Sequence, residues 1–335
     1  MHQPTTKVYR RQVVEGFSIP AIIRNGSYFF VDIDVYENGR VSCWNFEDFE
    51  SFKKDVNRGW VALAVPDGEA LSIHGLGSWQ VTAGQWLFTP QTFISYVESL
   101  VRTLNPAMEN LYQYREKTIK GVRVGEWGSG TGFKENPRSP HDLFPEKIDG
   151  DSVHLFYKTP ADYKLVRVTA FADGTLEVGR LAQPFALSFE ELERLVAEGV
   201  LLTAVPAAAP VSIYGLGTFV AAESRSVTAI KDKVAELRDI RRKLGGHPTT
   251  VEACRLAHEQ YEANPTGENR DKLRVAYEAV PDHQKMFVGD MDTKDVAVRM
   301  ILYGEQELAN WSHYQVAKSL GGPLPGITVP RPADE

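Results

Sequence analysis

The chain has 335 residues, 43% of them hydrophobic and 24% charged, with a formal net charge of −7 and an isoelectric point near 5.7. That length accommodates two or three domains with cores of their own. The acidic balance argues against a generic grip on nucleic acid or on an anionic membrane, either of which needs a clustered cationic surface. Cys43 and Cys254 stand in different segments and offer neither metal spacing nor a disulfide framework, so a reducing compartment is expected. The opening residues Met1-His2-Gln3-Pro4 lack a basic segment followed by an apolar run. No apolar stretch approaches the ~20 residues that span a bilayer. A cytoplasmic protein without membrane contact is the expectation.

In chain order, residues 7–24 carry short apolar runs interrupted by Gly16 and Pro20 and read as an entering strand and an edge segment. Asn25-Gly26 is a hairpin turn signal. Ser27 to Tyr36 then alternates, with Phe29, Val31, Ile33 and Val35 on one face and Phe30, Asp32, Asp34 and Tyr36 on the other, the pattern of a strand with one buried face. Glu37-Asn38-Gly39 turns the chain back into Arg40 to Trp44. Residues 47–57 place Phe49, Phe52 and Val56 at helical spacing, with Gly59 as a stop. Trp60 to Val65 and Ala70 to Ile73 are two more apolar strands.

Residues 59–77, G-W-V-A-L-A-V-P-D-G-E-A-L-S-I-H-G-L-G, return as residues 199–217, G-V-L-L-T-A-V-P-A-A-A-P-V-S-I-Y-G-L-G, at an offset of 140 without gaps. A self-match of this length marks a duplication, and the second copy follows the same plan. Leu165 to Phe171 is its long strand and Asp173-Gly174 its turn. An insertion falls around Leu181 to Phe185, and Ser188 to Ala197 is its helix, opened by the Ser188–Glu191 capping box. Between the copies, residues 90–104 form an amphipathic helix and residues 125–146, rich in Gly and Pro, a long loop. From about residue 222 the pattern becomes helical throughout. Asp292 or Thr293 would cap a late helix, and Gly321-Gly322-Pro323 ends the last one.

The fold class that follows is α+β: two diverged tandem copies of a β-β-α-β-β unit, then an all-helical C-terminal bundle. The expected divisions are a first repeat over 1–89, a connecting helix, strand and Gly/Pro-rich loop over 90–150, a second repeat over 151–221, the bundle over 222–322 and a flexible Pro-rich tail over 323–335.

Candidate chemistry is sparse. The eight histidines form no H-x-x-x-H or H-E-x-x-H pattern, and Ser and Cys nucleophiles lack a flanking signature, so no metal site, catalytic residue or cofactor is assigned. One stretch, Val122-Arg123-Val124-Gly125-Glu126-Trp127-Gly128-Ser129-Gly130-Thr131-Gly132, resembles the first motif of class I S-adenosylmethionine-dependent methyltransferases. The resemblance implies that Glu126, Gly128, Gly130 and Gly132 would line that cofactor. Pro137 and Pro140 follow where that family has a helix, which leaves an exposed loop as the other reading. His74, in the repeated Ser-Ile-His-Gly-Leu-Gly, has Tyr214 as its counterpart, which points to a structural role in a turn. Aromatic residues crowd the first copy, and Tyr36, Trp44 and Phe46 flank a turn, where with His74 they make candidates for contact with a partner. A non-enzymatic interaction or regulatory module is therefore the first expectation, its partner another protein or a second copy of the chain rather than nucleic acid. A methyltransferase using residues 125–134 is the alternative.

Overall fold

A computed structural model describes residues 16–44, 46, 48–109, 111–113, 115–126 and 148–332. Helices and a large mixed sheet make it an α+β protein, and it divides into two compact units. The first takes in the described residues up to 126 together with 159–165 and 205–225. The second takes in 148–158, 166–204 and 226 onward.

In the first unit, strands β1 (Gly16–Asn25) and β2 (Ser27–Tyr36) form a hairpin around Gly26, whose φ of +73° suits a residue without a side chain. Val31, Ile33 and Val35 of β2 are buried, as the alternation requires. β3 (Val41–Ser42) returns along β2, and α1 (Phe49–Asn57) begins where the Asp48 carboxylate accepts from the Ser51 amide at 2.7 Å. β4 (Val61–Ala62) pairs with β1, and β5 (Ala70–Ile73) runs parallel to β2. A strand the sequence reading did not anticipate follows, β6 (Gly77–Trp86), antiparallel to β5. Helix α2 (Pro90–Leu104), capped by the Thr89–Thr92 box, then lays Phe93, Val97 and Val101 on the core beside Phe46, Phe52 and Val56. Arg115–Ile119 (β7) and Val122–Glu126 (β8) form a separate two-stranded antiparallel hairpin.

The second copy repeats this order with the same registers. β9 (Gly150–Lys158) and β10 (Tyr163–Phe171) lead to β11 (Leu176–Gly179). The insertion supplies an added strand, β12 (Phe185–Leu187), paired with β11. Helix α3 (Phe189–Ala197) opens with the expected capping box, Ser188 Oγ accepting from the Glu191 amide at 3.2 Å. β13 (Leu201–Leu202) pairs with β9 just as β4 pairs with β1. β14 (Ala209–Ile213) and β15 (Gly217–Arg225) close the series. Tyr163 and Lys164 run parallel to Val211 and Ser212, the same register as Tyr28 and Phe29 beside Leu71 and Ser72.

The repeated sequence is legible here as a tight hairpin. Ile73 and Leu76, like Ile213 and Leu216, are buried, and the Leu76 amide donates to the Ile73 carbonyl at 3.0 Å as Leu216 does to Ile213. Gly75 and Gly215 take positive φ between them. Still within the first unit, β15 pairs antiparallel with β6, and Val81 lies opposite Ala221, its own counterpart at the 140-residue offset. The two strands are thus related by a local two-fold, the arrangement of an isologous interface.

Helix α4 (Ile230–Leu244) begins and ends 140 residues after α2 and packs on β9, so it is the closing helix of the second copy and not the opening of a separate helical segment. The β-β-α-β-β description is therefore short by a leading strand, a hairpin strand and a closing helix in each copy, and by β12 as well in the second. Residues 250–320 hold α5 (Thr250–Ala263), α6 (Gly267–Glu278), α7 (Val296–Tyr303), α8 (Ser312–Leu320) and two 3-10 turns, Asp282–Phe287 and Glu305–Asn310. Asp290 organises the turn before α7, accepting from the Asp292 and Thr293 amides, in place of the expected cap by Asp292 or Thr293. Residues 323–332 are extended but held: the Tyr261 hydroxyl donates to the Pro330 carbonyl at 3.0 Å, and Ile327 and Val329 pack on the helical cores. Among the described residues no helix is long and apolar enough to cross a membrane.

Candidate functional site

Because one backbone plan is built twice, each copy shows what the fold itself requires of the other. Positions that stay apolar in both are core. Positions that change character while the backbone is kept are where a function could have been written.

Of the residues singled out in the sequence, Trp44 stands out: it is 59% exposed, with its ring tilted against Phe29 at 5.7 Å. The β2–β3 and β10–β11 registers make Gly179 its counterpart, so the fold does not need an indole there. Tyr36 is half-buried. Burial, then the Asp34 carboxylate, raises its hydroxyl pKa. Phe46 does not join such a surface. It is 3% exposed, edge-on to Phe52 and Trp60 at 5.5 and 5.8 Å, because it packs into the core against α1. His74 is exposed at the hairpin tip, and its counterpart Tyr214 is also exposed. Gly128, Gly130 and Gly132 lie outside the described residues. The strand that leads to them, ending at Glu126, is half of an antiparallel hairpin.

Two constellations escaped the sequence reading, and both lie on α4. In the first copy, the space between the turn at 37–39 and the end of α2 is filled. Val101 is buried, Leu111 lies 3.0 Å from where a Cβ on Gly39 would stand, and the Asn105 amide donates to the Glu37 carbonyl at 3.0 Å. In the second copy the chain leaves through Gly245, Gly246 and His247 toward α5, and Val101 is replaced by Arg241. The same place is then a pocket of about 600 Å³, lined by the turn Ala172–Gly174, the start of α3 and Arg238, Arg241, Arg242 and His247. The Arg241 guanidinium lies over the Phe189 ring, 5.2 Å from its centroid.

The second constellation is internal. Phe93, wedged against Phe52 and Phe88, has Lys233 as its counterpart, and Tyr96 has Glu236. Lys233 is only 2% exposed. Its Nζ lies 2.7 Å from Glu236 Oε2, and the same oxygen lies 2.9 Å from His283 Nε2 in the 3-10 turn. Burial alone would raise the Glu236 pKa, but the His283 hydrogen bond and the Lys233 charge outweigh it and hold the carboxyl below its ordinary value. Asp239, standing where the first copy has Ser99, accepts from the Thr250 amide at 3.0 Å and from its hydroxyl, fixing the start of α5. Lys233, Glu236 and Asp239 at i, i+3 and i+6 thus turn the face that is aromatic in α2 into a polar seat for residues 249–288.

Two family models match the chain. One, described as a domain of unknown function (DUF7638), matches twice, over residues 4–108 and 138–248, each match taking in one copy with its closing helix. The other, a domain of unknown function (DUF7639), matches residues 249–322, the segment seated on that polar face. No curated protein and no solved structure matches the chain.

Proposed function

The chain belongs to the DUF7638 family, and we propose that it acts as a non-enzymatic interaction or regulatory module, binding another protein or a second copy of itself through the first copy's aromatic surface. The observation that carries this is Trp44, more than half exposed at a position the other copy fills with Gly179. Leaving an indole in water forgoes roughly 1.5–3 kcal/mol of burial, and exposed tryptophans of this kind anchor protein interfaces. Tyr36, at the other end of β2 from the Phe29 ring on which Trp44 rests, is a second candidate contact. The alternative, an S-adenosylmethionine-dependent methyltransferase using residues 125–134, rests on the sequence resemblance alone.

Native mass spectrometry of the gently purified protein tests the proposal. Whole-number multiples of the chain mass, or a second polypeptide, are expected with the wild type. Trp44→Ala should weaken that association about thirtyfold or more, equivalent to ~2 kcal/mol. Its thermal midpoint should stay within a degree or so of the wild type, because the ring is mostly in solvent. A bare monomer in both proteins, or an assembly indifferent to the substitution, would overturn the reading.

A further inference from the structure

The pocket on the second copy goes beyond that reading, because it shares no residue with the Trp44 surface and has the chemistry of a small-molecule site. Which of its charges are already committed decides what it could hold. Arg238 is paired with Glu193. Asp173 accepts from the Thr175 hydroxyl and amide at 2.7 and 2.9 Å, which keeps its carboxyl low. Glu190 is held low by its own backbone amide and by Ser188 at the start of α3, with a smaller contribution from the Arg241 charge. All three acids are thus engaged by the fold.

The bases are not. The Arg241 side chain makes no hydrogen bond or ion pair among the described residues, and its guanidinium lies 5.2 Å from the Phe189 ring centroid, close enough for its charge to act on Glu190. Arg242 commits its Nε to the Pro248 carbonyl at 3.1 Å, which orients the guanidinium and leaves the outer nitrogens open. His247 lines the same wall. The last carbonyls of α4 are closed off, since Gly245, Gly246 and His247 donate to Arg241, Lys243 and Arg242. The negative end of the helix therefore presents few open acceptors, and the two guanidinium groups dominate. A guanidinium pair with open, forked donors matches phosphate geometry. A pocket of about 600 Å³ exceeds a bare phosphate and falls within the range of small-molecule sites.

We propose that this pocket binds a phosphomonoester, its phosphate held by Arg241 and Arg242 and its organic body lying toward Phe189 and the Ala172–Gly174 turn. In the first copy Arg242 has its counterpart in Arg102, but that arginine is paired with Glu98 at 2.7 Å, and Val101 fills the place of Arg241. Among the described residues the first copy has no arginine pair open in this way, which makes it the internal control.

The full chain is titrated with phenyl phosphate, inorganic phosphate, benzoate and benzyl alcohol, with binding followed by calorimetry and the fold by circular dichroism. Saturable binding of phenyl phosphate is expected, tighter than inorganic phosphate and benzoate, with none for benzyl alcohol. Arg241→Val, which restores the first copy's residue, should weaken it at least tenfold without loss of fold, and Arg242→Ala likewise. Arg102→Ala should leave it unchanged. Equal binding of inorganic phosphate and phenyl phosphate would reduce the site to one for the free ion and overturn the phosphomonoester assignment. No saturation by phenyl phosphate at 10 mM (on the order of a 3 kcal/mol interaction), or indifference to Arg241→Val, would overturn the pocket as a phosphate site. None of these outcomes touches the Trp44 surface, so the two readings fail separately.

Discussion

Glu236→Ala is expected to destabilise the second unit by ~3–5 kcal/mol, because it leaves the Lys233 ammonium buried with no counter-charge. That would be among the larger single-residue effects in the chain. The first copy supplies the control: a Lys233→Phe/Glu236→Tyr double variant installs Phe93 and Tyr96 at the same helical positions. Replacing a buried ion pair with well-packed apolar groups is often neutral or stabilising, so the double variant should recover most of what Glu236→Ala loses. Equilibrium unfolding in urea reads both. A cost below 1 kcal/mol for Glu236→Ala would mean that water or another group already solvates Lys233.

The same network predicts a pH dependence of definite sign. The folded Glu236 pKa lies below its ordinary value of about 4.5. Its contribution to stability is therefore complete above that value and is lost as pH falls through the lower, folded one. The wild type should lose stability as pH falls below about 4.5 by a step that Glu236→Ala lacks, and a pair of parallel stability curves would contradict this.

What the sequence could reveal depended on how periodic each signal was. The buried face of β2 was visible because Val31, Ile33 and Val35 alternate without interruption, and the Ser188–Glu191 cap was visible because both partners are local. β6 was hidden, since Ala83, at a φ of +50°, and Gly84 break its alternation where the pairing with β15 shifts register. The true allegiance of α4 was hidden too. Its aromatic positions had become Lys233 and Glu236, so it no longer resembled α2 in side chains, only in spacing. Applying the 140-residue offset to the helix ends would have found it. The pocket was the least legible feature. It depends on where the chain goes after Gly246, and Arg241 reads in sequence as one more solvated charge on a helix.

Gly217→Ala is the second substitution expected to cost heavily, about 3 kcal/mol. Gly217 takes a φ of +157°, and a Cβ there would stand 2.5 Å from the Gln85 carbonyl oxygen and 3.0 Å from the Trp86 ring. The carbonyl is backbone of the paired strand, so the contact cannot be relieved by a rotamer change and must push β15 from β6. Gly26 is the reference: its φ is also positive, but nothing lies within 4 Å of a Cβ, so Gly26→Ala should cost only the ~1–2 kcal/mol of the left-handed backbone. The difference between the two measures how firmly the β6–β15 pair is set. That pair includes the Thr82 hydroxyl donating to the Val220 carbonyl at 3.0 Å and Trp86 stacked on Phe219 at 6.3 Å. It also covers the edge each strand would otherwise offer to another chain. Residues that face each other across a two-fold must suit both themselves and their counterparts, as Val81 and Ala221 still do. The helices carry no such constraint, and α4 has diverged from α2 at Lys233, Glu236, Asp239 and Arg241. If Gly217→Ala costs no more than Gly26→Ala in urea unfolding, the strand pair is yielding and this account of where divergence was permitted fails.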